Sequence, residues 1–229
     1  GRIFLPKGHC GHPGISISAD DGITWTRVQV STMTSMYTHT SVASDSAGNL
    51  YYVWIGDNQL PYLATSTDHG VTWSQPTMVA PPGVAQVNFP VIDAGDPGNV
   101  AISFPSTTTT DKSRAWDQTV VVSTDALDGG AATYLSATGN DPADPIHRGA
   151  CLGRCGGLWD FIDVHIAANG ELWASSSDDC VDTCNTGTVS SAHVGDGLAI
   201  TEIGGPLLRT ASPGPTVSPS ATPSPTTTP

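Results

Sequence analysis

Ser18-Ala-Asp20-Asp-Gly22-Ile-Thr24-Trp25 and, 48 positions later, Ser66-Thr-Asp68-His-Gly70-Val-Thr72-Trp73 share a single frame, S-x-D-x-G-x-T-W. Each fixed residue has a task in a tight β-turn. The Ser and Asp side chains bond nearby backbone amides, and Gly supplies a positive φ at no steric cost. Thr and Trp then open the next strand, with the indole ring as a packing anchor. A spacing within the roughly 40–50 residues typical of a propeller blade predicts a repeated β-meander rather than one isolated motif.

A second repeat lies between the first. Gly48-Asn-Leu50-Tyr-Tyr52-Val-Trp54, Gly98-Asn-Val100-Ala-Ile102 and Gly170-Glu-Leu172-Trp-Ala174 each read as a hairpin turn followed by an apolar strand. Thr40-Ser-Val42, Pro90-Val91-Ile92-Asp93 and Ile162-Asp-Val164-His-Ile166 precede them as inner strands, so units start near residues 37, 87 and 160. Gly1-Arg-Ile3-Phe-Leu5 matches the turn and second strand 47 residues ahead of Gly48. The first unit thus lacks an inner strand, and a bare strand edge is a template for pairing. Upstream residues, or a strand from another chain, would cover it.

This frame resembles the Asp-box of bacterial neuraminidase repeats and sialidase-like β-propellers. The resemblance implies an all-β propeller of four-stranded antiparallel blades, with about four visible here and the first incomplete. Its Asp-box residues would be Ser18, Asp20, Gly22, Thr24 and Trp25, then Ser66, Asp68, Gly70, Thr72 and Trp73. Ser123-Thr-Asp125-Ala-Leu-Asp128-Gly-Gly130 reads as the same turn stretched by insertion. In the fourth unit, His193-Val-Gly195-Asp196-Gly197-Leu-Ala-Ile200 keeps a turn but no Trp. An insertion from about Gly139 to Trp159 separates the last two units.

After residue 208 the composition changes: sixteen of the twenty residues from Thr210 to Pro229 are Pro, Ser or Thr. Such a tract builds no core and favours extended, polyproline-like chain. The division is a propeller over 1–208 and a disordered linker or O-glycosylated stalk over 209–229. About 208 residues suffice for a sizeable β core. With a net charge of −13, nucleic acid and anionic membranes are poor partners. No apolar run reaches the roughly 20 residues of a membrane span. The composition predicts a secreted or cell-surface protein, attached through the C-terminal stalk and engaging glycans or other surface proteins.

Five cysteines carry the most chemistry. Cys151 and Cys155 form one x3-spaced pair, and Cys180 and Cys184 another. Four such thiols can make a tetrathiolate zinc site or two disulfides. The secreted-looking composition favours disulfides, in any of three connectivities, stapling the insertion to the fourth unit. Cys10 has no evident mate, which fits an upstream or intermolecular partner. His9, Cys10 and His12 could hold zinc or copper only with a further ligand, and the plainer reading is a His-containing turn. No resident cofactor is expected. Ca²⁺ is the one cation the Asp-rich turns are equipped to take, although Asp20 and Asp68 are better used as turn acceptors.

The sialidase resemblance implies three substrate-binding arginines, a Tyr/Glu nucleophile pair and an acid/base Asp. Six Arg and two Glu occur in the chain. None of Arg2, Arg27, Arg114, Arg148, Arg154 and Arg209 matches that triad, and neither Glu171 nor Glu202 resembles the Tyr-paired Glu. Catalytic residues are therefore not assigned. Period-two alternation does put Asp163 and His165 on one face of an inner strand, where they could work as an acid/base pair or simply line a wet channel. Tyr51, Tyr62 and Trp116 are candidate sugar-stacking rings. The reading is a binding or structural propeller. Its alternatives are a sialidase-type hydrolase with catalytic residues upstream and a self-assembling fibre subunit completed by strand donation through the first unit.

Overall fold

Long apolar runs with β-branched and aromatic residues, broken by Gly-Asn turns, make this an all-β chain, because such runs fill a sheet buried on both faces. The computed structural model describes residues 1–149, 161–180, 184 and 196–210. Four antiparallel sheets follow one another along the chain.

The first sheet holds β1 (Ile3–Pro6), β2 (Gly14–Ser18) and β3 (Thr26–Gln29). The second is β4 (Ser35–Ser44), β5 (Leu50–Gly56), β6 (Pro61–Ser66) and β7 (Thr77–Met78). The third combines β8 (Gln86–Val87), β9 (Val91–Ala94), β10 (Val100–Thr107), β11 (Ala115–Ser123), β12 (Leu135–Thr138) and β13 (His147–Arg148), with a short 3-10 helix over Ala126–Ala131. The fourth is β14 (Asp163–Ile166), β15 (Leu172–Asp178) and β16 (Asp196–Thr201). The strands expected to begin at Leu50, Val100 and Leu172 begin there. In the fourth sheet, Asp196 and Gly197 are not turn residues as expected: they lie in β16 opposite Asp178 and Ser177.

Side-chain alternation packs each sheet on the next. On β5, Tyr52 and Trp54 join Ile15, Val30 and Ala64 in a core against the first sheet. Tyr51, Val53 and Ile55 point the other way, onto Ile92, Val100, Ile102 and Phe104 of the third sheet. Ala101 and Val120 then meet Val164, Ile166, Leu172 and Ala174 of the fourth. The first strands lie beside one another, β4 against β9 and β9 against β14. Tyr51 and Trp116, expected as exposed stacking rings, are fully buried, since a strand covered on both faces has no open side.

The last of the described residues, 208–210, are pinned to the turns of the third and fourth sheets. Leu208 is fully buried; its amide donates to Gly170 O (2.9 Å), and its carbonyl accepts from Asp96 N (2.9 Å) and Asn99 Nδ2 (3.1 Å). Thr210 donates its amide (2.7 Å) and its hydroxyl to Asp96 Oδ2. Gly95 is required here, because a Cβ at that position would lie 1.9 Å from Leu208 O.

Candidate functional site

The two repeated turns superpose bond for bond. Ser18 Oγ donates to Asp20 Oδ1 (2.8 Å) and accepts Gly22 N (2.8 Å), while Asp20 takes Thr24 N (2.9 Å) and Thr24 Oγ1 (2.6 Å). Ser66 and Asp68 repeat this with Gly70 N (2.8 Å), Thr72 N (2.9 Å) and Thr72 Oγ1 (2.6 Å). Trp25 and Trp73 each return Nε1 to the Gly carbonyl, at 3.0 and 3.1 Å. Gly22 and Gly70 have φ of 90° and 87°, which the turn demands. Hydrogen bonds from Thr24 and Thr72 hold the Asp20 and Asp68 carboxyls down to about 2. These Asp oxygens are spent on local donors, which makes the turns architectural.

The stretched third turn closes with residues that sequence reading missed. Ser123 Oγ donates to Asp125 Oδ1 (2.8 Å), and Thr133 N reaches the same oxygen (2.8 Å) across the 3-10 insertion. Thr133-Tyr134 thus stands where the other turns have Thr-Trp. The signal was a Thr-aromatic pair displaced by the length of the insert.

Asp163 and His165 do share one exposed face of β14, alternating with buried Val164 and Ile166. The alternation runs back to Phe161, a residue 68% exposed. Asp93, on β9, completes the group. Its Oδ2 lies 3.2 Å from His165 Nδ1 and accepts Ile166 N at 2.8 Å. Asp93 pairs with Ala101 and His165 with Trp173, so the two occupy the same place counted back from their hairpin turns. That equivalence was readable in the sequence; their contact needed the adjacency of β9 and β14. One carboxylate therefore ties the two sheets through Ile166 N and stands beside an exposed imidazole. An exposed aromatic face, a carboxylate and an exposed imidazole within five residues are suited to stacking on and hydrogen bonding a hydroxylated ring.

The opposite strand ends hold a second polar group. His147 Nδ1 meets Asp179 Oδ1 at 2.7 Å, both nearly buried, and Asp179 N donates to Ile146 O at 3.0 Å. Buried Arg114 donates to Gln86 Oε1 and, through Nε, to Asp111 O (2.6 Å). Arg209 Nη2 reaches Ala94 O at 3.2 Å. Burial raises the carboxyl of Asp117, against hydrogen bonding from Asn140. Cys180 and Cys184 form a disulfide with each other. That bond is local, so it does not staple the insertion to the fourth sheet; the His147–Asp179 contact does so instead. Cys151, Cys155 and Arg154 lie outside the described residues. Cys10 is exposed and free at a two-residue hairpin tip flanked by His9 and His12. Among the described residues no three His, Cys, Asp or Glu side chains are arranged to hold a metal ion, and no helix is long and apolar enough to cross a membrane.

No protein-family model and no curated protein matches the chain. Solved structures do. A variant of the NanB sialidase from Streptococcus pneumoniae is similar over 87% of this chain and 29% of its own, with TM-score 0.55 and 14% identity. The leech intramolecular trans-sialidase is similar over 88% and 29%, with TM-score 0.52 and 17% identity. A PL25 ulvan lyase is similar over 87% and 49%, with TM-score 0.52 and 15% identity. The chain spans less than a third of the two sialidase-type proteins and about half of the lyase. At these identities the likeness is one of fold: the chain has a sialidase-like β fold of the kind found in carbohydrate-acting proteins.

Proposed function

We propose that this chain is the sugar-recognising part of an extracellular Asp-box β-propeller, carried on a Pro/Ser/Thr-rich stalk. The observation that carries the reading is the solvent-open set Phe161, Asp163 and His165, with Asp93 of the neighbouring sheet 3.2 Å from the His165 ring. Named neighbours that act on sialic acid and on ulvan support a carbohydrate ligand, and the Cys180–Cys184 disulfide fits an oxidising compartment. The test is a glycan-array screen of the full chain beside an Asp163→Ala variant. Saccharide binding that falls in the variant is expected; identical profiles would sink the assignment. The second reading, a glycoside hydrolase completed by residues outside this chain, draws on the sialidase likeness together with the partial span. Turnover of a fluorogenic sialoside by a longer chain, absent from this one, would favour it.

A further inference from the structure

We infer that the Phe161–Asp163–His165 face takes an amine-bearing pyranose in preference to an anionic sugar. This rests on the carbohydrate reading above and names the ligand class for the same site. The three strands that meet here, β4, β9 and β14, carry no Lys or Arg in the sequences SMYTHTSVAS, VIDA and DVHI. Their charged groups are Asp93 and Asp163, and Nδ1 of His165 lies 3.2 Å from Asp93 Oδ2. His39 of β4 stacks on Phe89 with ring centroids 4.2 Å apart. Arg209, a cation near this face among the described residues, donates Nη2 to the carbonyl of Ala94 at the turn end.

A sugar carboxylate placed on this face would therefore meet Asp163 with no basic side chain from these strands to neutralise it. A protonated amine meets the opposite situation. The exposed Asp163 carboxylate attracts it, and the open ring of Phe161 offers an apolar bed with a negative face for the ammonium-bearing ring. Phe161 to His165 spans about 13 Å of extended chain, room for more than one ring.

The experiment is a heteronuclear NMR titration of the full chain with three probes: a glucosamine trimer, an N-acetylglucosamine trimer and sialyllactose. The expected result is shifts at Phe161, Asp163 and His165 with the glucosamine trimer, bound about tenfold more tightly than its acetylated form. Asp163→Asn should bring the two trimers to near parity, while Asp57→Asn, an exposed carboxylate elsewhere, should leave the ratio unchanged. Equal binding of all three probes at this face, or tighter sialyllactose, would overturn the amine preference and leave the carbohydrate reading intact. Shifts spread over the acidic surface with no dependence on Asp163 would overturn it as non-specific attraction. No saccharide at this face would remove both readings.

Discussion

The Tyr51 hydroxyl donates to Asp45 Oδ2 at 2.7 Å, and the same oxygen of Tyr51 accepts Gly98 N at 2.8 Å. One buried phenol thereby ties the turn preceding β5 to the turn preceding β10. Burial raises the tyrosine, and Asp45 raises it further. Burial also works to raise Asp45, but hydrogen bonds from Tyr51, Asn49 and Ala47 outweigh it and hold the carboxyl below its usual value. Tyr51→Phe leaves Gly98 N unmet and takes one of the two donors from Asp45 Oδ2, and should cost about 1–3 kcal/mol in denaturant unfolding. Tyr52→Phe, which loses a bond to Gly14 O (2.8 Å), should weaken the join between the first and second sheets in the same range.

Acid should unlock the repeated turns. Asp20 and Asp68 have folded values near 2 against an ordinary 3.8, so they favour the fold above about pH 4 and lose that contribution as pH falls toward 2. Asp68→Asn should lower the melting temperature at pH 7 and make little difference at pH 2. An equal drop at both values would show that the carboxylate charge is not what the turn uses.

Leu208→Ala removes a fully buried side chain from the core shared with Val164, Ile166 and Leu172, and should cost about 2–5 kcal/mol. Gly95→Ala should dislodge the same segment by contact with Leu208 O. The double variant should lose less than the sum of the two, because both act on one docking event; strict additivity would contradict that coupling.

The cysteines should separate chemically. Native alkylation followed by peptide mapping should label Cys10 and leave Cys180 and Cys184 unlabelled until reduction. Replacing that pair with serine should cost about 2 kcal/mol, as expected when so short a loop loses its crosslink.

Strand starts and turn chemistry were legible because they depend on local residues: Gly at positive φ, a polar Asn or Glu after it, then an apolar run. The starts of β5, β10 and β15 follow directly from that signal. Burial of Tyr51 and Trp116 was not legible, since period-two patterning separates two faces only when one of them is wet, and β5 is covered on both. Asp93 was readable as an inner-strand residue, but its contact with His165 spans 72 positions and depends on how two sheets are set side by side. The third turn was legible as a stretched copy, but its closing residue was not, for the opposite reason: the partners are local, yet an inserted 3-10 helix shifts Thr133 out of frame.

Were the molecule held through the residues after Thr210, the docking of Leu208 and Thr210 would set where mechanical load enters it. A pull on the polypeptide beyond Thr210 is borne first by its two bonds to Asp96, then by the Leu208 side chain wedged between the third and fourth sheets. That point lies at the Gly-Asn turn end of the strands. The hairpin after β5, Arg114 and the His147–Asp179 contact sit at the far end, pointing away from any tether on this side. A protein held at residue 210 therefore presents that distant end outward, and tension reaches it only after crossing the length of the sheets.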